Sequence, residues 1–198
     1  MLSDPLVCYH ARDLDSRSKP LHLCFLGCGF ITRVHSRHLQ KMRSDVVCSY
    51  ASREGDRALD LKRRFGGVGH YGSYQEALRD PAIDAVVVAL PTSYHLELTL
   101  QALEAGKHVL VEKPAFPRLE DYRTVIEARE GSGRVVLVGE NDHYKPLCVA
   151  LRRLMTSGVI GELVFGHFVT IMKKPKSADG WCNDANPRPP ARPRTRRA

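Results

Sequence analysis

The strongest constraint on the fold is an alternation that begins at Leu21: short, unbroken apolar runs separated by stretches with helical spacing. Runs at 21–26, 45–51, 83–90, 108–111 and 135–139 are rich in Val, Leu or Ile and apolar on successive residues rather than only on every second one. A strand that is apolar on both sides must be covered on both faces, and strands that alternate with helices build βαβ units. Helices are predicted at 30–42, 55–65, 73–79, 93–105 and 118–130. In the last of these Leu119, Tyr122, Val125, Ile126 and Arg129 recur at helical spacing as one apolar stripe. Gly131 and Gly133 end it. The expected fold class is α/β, a doubly wound parallel sheet of order 3-2-1-4-5-6 across residues 21–145.

Outside that block the pattern differs. Residues 1–20 are polar and aperiodic, and read as an N-terminal arm. Pro146 opens a helix of about eleven residues that stops at Ser157-Gly158. The run 162–172 then reads as a long strand, the first of a second sheet, with no partner strand after it. Left uncovered, its Leu163, Val164, Phe165, Phe168, Val169 and Ile171 are an aggregation hazard. Residues 146–184 are the expected start of a second domain. The Pro/Arg text of 185–198 cannot bury apolar surface and is expected to be disordered.

The charge of +8 is concentrated at the end of the chain. Five arginines lie in 188–198, and without them the rest carries +3, which gives no basic face for nucleic acid. The six cysteines show no CxxC and no metal-ligand spacing, so they are expected to be reduced and non-ligating. The N-terminus has no apolar core of a signal peptide, and no apolar run approaches the ~20 residues that span a bilayer. The expectation is a soluble, cytoplasmic protein with no membrane partner and no metal.

Two motifs carry chemistry. The first is Gly27-Cys28-Gly29-Phe30-Ile31, a strand running into a glycine turn and then a helix. Gly27 permits the tight turn, and Gly29 lets backbone approach a pyrophosphate at the helix N-terminus. Thr32 stands at the third position of the G-x-G-x-x-G fingerprint. At the end of the second strand, where an acid would bind ribose hydroxyls, the chain has Ser52-Arg53 instead. A guanidinium there suits a ribose 2′-phosphate, so NADP is favoured over NAD. The loop Leu90-Pro91-Thr92-Ser93-Tyr94-His95 follows the third run, where the nicotinamide half of a cofactor rests, and His95 is read as packing on the cofactor or its loop.

The second motif is Ala105-Gly106-Lys107-His108-Val109-Leu110-Val111-Glu112-Lys113-Pro114. It places an acid, an amine and a proline at the end of a buried strand. Oxidising an alcohol removes a hydride and the hydroxyl proton. An amine held at the alcohol oxygen can orient it and handle that proton. Lys113 is the candidate catalytic residue. The candidate cofactor contacts are Gly27, Gly29, Phe30, Ile31, Ser52, Arg53, Leu90, Pro91, Thr92, His95, Glu112 and Lys113.

The set G-C-G-F-I, A-S-R, Y-G-S-Y-Q-E-A-L, P-T-S-Y-H, A-G-K-H-V-L-V-E-K-P and G-x-I-G-E resembles the Gfo/Idh/MocA oxidoreductase family across residues 21–184. The resemblance implies an N-terminal Rossmann domain and a second α/β domain with an open, mostly antiparallel sheet, incomplete here. It also implies NAD(P), a sugar, cyclitol or related polyol substrate, and Lys113 as the family's lysine. Members pair through the second sheet, so a full-length relative is expected to be a homo-oligomer and this chain doubtfully so.

The family's G-G-x-x-x-D/E-x-G-x-H segment brings its aspartate and histidine. Here Asp179-Gly180-Trp181-Cys182-Asn183-Asp184 resembles the approach to it, and Pro/Arg text follows. That text reads as translation of GC-rich DNA in a shifted frame, with a short isoform or a true basic tail as alternatives. A catalytically inactive nucleotide-binding fragment, or a cofactor-sensing regulator, is therefore the alternative to an active dehydrogenase.

Overall fold

The computed structural model describes residues 19–169 and 171; residues 1–18, the Asp179–Asp184 segment and the Pro/Arg tail lie outside them. Of these described residues, 19–140 belong to one compact unit and those from Asn141 onward to another.

The first unit alternates strand and helix: β1 (Leu21–Leu26), α1 (Phe30–Leu39), β2 (Val46–Ala51), α2 (Gly55–Phe65), β3 (Gly69–Tyr71), α3 (Tyr74–Arg79), β4 (Ala85–Val88), α4 (His95–Glu104), β5 (His108–Val111), α5 (Leu119–Ser132) and β6 (Val136–Val138). The strands form one sheet of order β3-β2-β1-β4-β5-β6, with every neighbouring pair parallel. This is the expected doubly wound Rossmann arrangement.

The apolar runs explain the layering. Along β1, Phe25 faces a core with Tyr50, Ala58, Leu61 and Phe65, packed with α1 and α2. Cys24 and Leu26 face the opposite core, with Val109 of β5 and with Tyr74, Ala77, Leu98 and Val125 of α3, α4 and α5. Fully burying each large side chain contributes roughly 1.5–3 kcal/mol. Two cores, one on each face, are what a run without alternation demands.

Helix ends follow local chemistry. The Ser73 hydroxyl accepts from the Glu76 amide at 3.1 Å, and the Glu76 carboxylate accepts from the Gly72 amide at 3.0 Å, closing the start of α3. Gly66 and Gly133 end α2 and α5 in the left-handed region, at φ 68° and 63°.

Three expectations in this unit need correction. β3 went unseen as an apolar run, because Gly-His-Tyr offers no such run and its pairing with β2 makes it a strand. The helix expected over 30–42 is α1 followed by a tighter 3₁₀ turn at Gln40–Met42. The stripe on α5 does not face the core as one band. Asp121 and Val125 are buried, while Leu119 is 62% exposed and Ile126 48%. Arg118 satisfies the buried Asp121 carboxylate at 2.8 Å, which lets an acid take a core-facing position. Tyr122 sits edge-on to Phe116 at 5.1 Å.

In the second unit a 3₁₀ turn (Asn141–Tyr144) leads into α6 (Pro146–Thr156), which has proline in its first turn. The strand expected over 162–172 is absent among the described residues, 162–169 and 171. A strand is defined by its ladder, and no described segment pairs with it. Val164, Phe165, Phe168 and Ile171 are exposed.

Candidate functional site

Parallel register brings the strand ends into one row. Leu26 is paired with Ala51 and Val88, Ala51 with Tyr71, and Val88 with Val111. The ladder continues one residue further: Gly27 N donates to Ala51 O, Ser52 N to Tyr71 O, Ala89 N to Leu26 O and Glu112 N to Val88 O. Gly27, Ser52, Ala89 and Glu112 therefore line up at the carboxyl edge. Sheet order reverses between β1 and β4, and a doubly wound sheet opens its ligand crevice at such a switch point.

The glycine turn is built for closeness. Gly27 has φ +111°, and a Cβ placed there would lie 2.5 Å from Ala89 O. No larger residue fits without displacing the β4 backbone. Gly29 caps α1 at φ −83°, with no side-chain cap and no acid in the first turn. The helical ladder begins with Arg33 N to Gly29 O, so the amides of Phe30, Ile31 and Thr32 precede it. Such an end attracts an anion. Phe30 is exposed and Ile31 half-buried. Thr32, fully buried, donates its hydroxyl to Gly27 O at 2.8 Å, tying helix to turn where the fingerprint has its third glycine. Burial pushes the Cys28 thiol up to about 11, against the opposing charges of Arg33 and Arg57.

On the β2 side, Ser52 is buried and its hydroxyl accepts from Glu54 N at 3.1 Å, shaping the turn. Arg53 is exposed, and its guanidinium carbon lies over the Tyr94 ring, 5.6 Å from the centroid. On the β4 side, half-buried Leu90, Pro91 and Thr92 lead into a 3₁₀ turn at Thr92–Tyr94. His95 is only 1% exposed. Its Nδ1 lies 2.9 Å from Ala115 O and its Nε2 2.8 Å from Leu90 O. Both ring nitrogens lie against backbone carbonyls, so His95 packs on the loop, and any effect on a ligand passes through that loop.

At the end of β5, Glu112 is 8% exposed. Its Oε1 lies 2.6 Å from His35 Nε2, and its Oε2 accepts from Lys113 N at 3.2 Å. Burial pushes this carboxyl up, but those hydrogen bonds and the charges of His35 and Lys113 outweigh burial and hold it below its ordinary value. Lys113 is exposed at the same edge, and the Lys113–Pro114 peptide is cis. With strands ~4.8 Å apart, β5 lies roughly 10 Å from β1 across β4. The edge thus offers amides, a guanidinium and an amine along one line, suited to an extended anionic ligand.

Sequence reasoning missed His35 and the parts played by Thr32 and Tyr94. His35 sits on α1, 77 residues from its partner, and no spacing rule connects them. Thr32 was visible as a departure from the glycine fingerprint, without a sign of its bond to Gly27. Tyr94 lay inside the quoted Pro-Thr-Ser-Tyr-His loop, but its contact with Arg53 depends on strand order.

Residues 21–140 match the profile of the oxidoreductase family with an NAD-binding Rossmann fold. The uncharacterized oxidoreductase ORF334 of Rhizobium meliloti is 38% identical, over 71% of this chain and 42% of its own. The D-xylose 1-dehydrogenase (NADP(+)) of Hypocrea jecorina is 34% identical, over 64% and 33%. A variant of KijD10, a 3-ketoreductase from Actinomadura kijaniata solved with TDP-benzene and NADP, superposes with a TM-score of 0.66. It has 30% identity and covers 72% of this chain and 46% of that one. The chain thus spans less than half the length of these relatives. By its profile match and its sheet, the chain belongs to the Gfo/Idh/MocA oxidoreductase family, with an NAD-binding Rossmann fold.

Proposed function

We propose that this chain binds a nicotinamide dinucleotide, NADP in preference to NAD, as the cofactor domain of a dehydrogenase acting on the CH–OH group of a sugar, cyclitol or related polyol. The observation that carries the reading is the row of strand ends, which brings the Gly27 turn, Arg53 and Lys113 to one edge.

The bound cofactor would supply the hydride acceptor. The chain's own residues bind and orient. The uncapped amides of Phe30, Ile31 and Thr32 would receive the pyrophosphate, with Gly29 leaving room for its approach. Ser52 shapes the turn that presents Arg53, whose guanidinium would meet the ribose 2′-phosphate. Leu90, Pro91 and Thr92 would line the nicotinamide half. Glu112, anchored by His35, fixes the backbone from which Lys113 reaches the substrate, and the Lys113 amine would hold the alcohol oxygen and handle its proton. D-xylose and NADP appear in the name of one relative, in keeping with this reading. Four free cysteines among the described residues accord with a reducing, cytoplasmic setting.

The alternative reading is cofactor binding without turnover, by a nucleotide-binding fragment or a cofactor-sensing regulator. Calorimetric titration with NADP and NAD, followed by a turnover assay over a polyol panel, separates the two. Binding with turnover supports the dehydrogenase, and binding alone selects the second reading. No binding of either cofactor defeats both.

A further inference from the structure

Arg53 and Tyr94 come from opposite sides of β1. Arg53 is two residues past the end of β2 and Tyr94 lies in the turn after β4, while β1 stands between those strands. Their contact, 5.6 Å from guanidinium carbon to ring centroid, therefore crosses over the end of β1, where the glycine turn begins.

We propose that Tyr94 is a positioning residue for dinucleotide selectivity, holding the Arg53 guanidinium over the crevice so that it meets a 2′-phosphate already confined. The inference rests on the reading of Arg53 as the 2′-phosphate contact.

Three observations support it. First, the Arg53 charge is not neutralised by an acid: among the described residues no carboxylate forms an ion pair with it, and neighbouring Glu54 is bound to Arg57 at 2.9 Å. Second, a cation–π contact uses the charge over a ring face, while guanidinium N–H donors project in the plane of the group. Contact with Tyr94 is thus compatible with a phosphate on the N–H edge. Third, Arg53 is confined from a second side. Its guanidinium hydrogen-bonds the Tyr74 hydroxyl, which burial pushes up and which the charge of Arg53 and that bond draw back. A free arginine loses rotamer freedom when it grips phosphate, and confinement beforehand removes part of that cost. NAD, with no 2′-phosphate, gains nothing from it.

The test is calorimetric titration of the full chain with NADP and NAD for wild type, Arg53→Ala, Tyr94→Leu, Tyr94→Phe and the Arg53→Ala/Tyr94→Leu double variant. Arg53→Ala is expected to weaken NADP binding at least tenfold and leave NAD unchanged. Tyr94→Leu is expected to weaken NADP two- to fivefold, with NAD unchanged. Tyr94→Phe keeps the ring and should bind as wild type. The double variant should bind NADP no more weakly than Arg53→Ala alone, because Tyr94 acts only through Arg53.

A selective Arg53→Ala loss overturns the role of Tyr94 alone if it comes with a silent Tyr94→Leu, an equal loss of both cofactors in Tyr94→Leu, no rescue by phenylalanine, or additive losses. An Arg53→Ala variant that loses NADP and NAD equally, or a wild type that binds neither, overturns the underlying 2′-phosphate reading as well.

Discussion

His35 Nε2 lies 2.6 Å from Glu112 Oε1, so the first helix of the sheet is fastened to the strand end that carries Lys113. The ring of His35 also stacks on Phe25, 6.2 Å between centroids, which roots the pair in the core beneath β1. Glycine turn and lysine thus share one support.

That support should depend on pH in a definite direction. Glu112 titrates below its ordinary value of 4.5 in the folded protein, so its charged form favours the fold. Its contribution is fully present above that ordinary value and fades as pH falls through the lower folded one. Glu112→Gln should lose about 1–3 kcal/mol at pH 7, the scale of a hydrogen bond to a buried charge. Urea unfolding of both proteins from pH 7 downward should show the gap narrowing below pH 4.5. A constant gap would remove the charge from the account.

Gly27→Ala should be more damaging than an alanine usually is. The new methyl would lie 2.5 Å from Ala89 O on a backbone at φ +111°, and both faults are in rigid backbone. A loss of roughly 1–3 kcal/mol is expected from strain at such a position, together with loss of cofactor affinity. The urea midpoint and a cofactor titration measure the two effects. Wild-type values in both would mean that the turn relaxes freely.

His95→Ala should loosen two loops at once. It removes the ring that lies between Leu90 O and Ala115 O, and with it the N–H donated to a carbonyl there, in a site that is 1% exposed. A stranded carbonyl and the space left by the ring cost about 2–4 kcal/mol together. Amide exchange should rise in both segments, Leu90–Tyr94 and Ala115–Phe116. A rise in one segment only would break the proposed tie.

Runs of successive Val, Leu and Ile revealed most of the sheet because a two-sided strand announces itself without reference to its partners. β3 did not, since its three residues become a strand only by hydrogen bonding to β2. Over 162–172 the reverse holds: apolar sequence without a described partner strand gives no ladder. Gly27, Arg53 and Lys113 were legible because glycine turns and strand-end charges are local signals. Pairs such as His35 with Glu112, or Arg53 with Tyr94, arise from strand order, which brings distant residues together regardless of spacing.

Exposed apolar side chains after α6 should govern solution behaviour. Leu163, Val164, Phe165, Phe168, Val169 and Ile171 are each more than half exposed. Contiguous apolar surface of this kind drives association. Truncation after Gly158 should reduce light scattering and shift the elution profile toward monomer at equal concentration. Equal scattering from both proteins would place the association elsewhere.

Lys113→Met tests the chemistry apart from binding. The side chain is exposed at the carboxyl edge, away from both cores, so replacing it should leave the fold intact and the melting temperature within a few degrees. Methionine keeps the length of the stem and removes the ammonium. NADP and NAD should bind with dissociation constants within about threefold of wild type, because the amine acts on the substrate oxygen. Any polyol turnover should fall by about 10²–10⁴, the usual contribution of a positioned acid or base. Paired titration and turnover measurements decide it. Turnover surviving in the variant would remove Lys113 from the mechanism, and loss of cofactor binding would make it a binding residue.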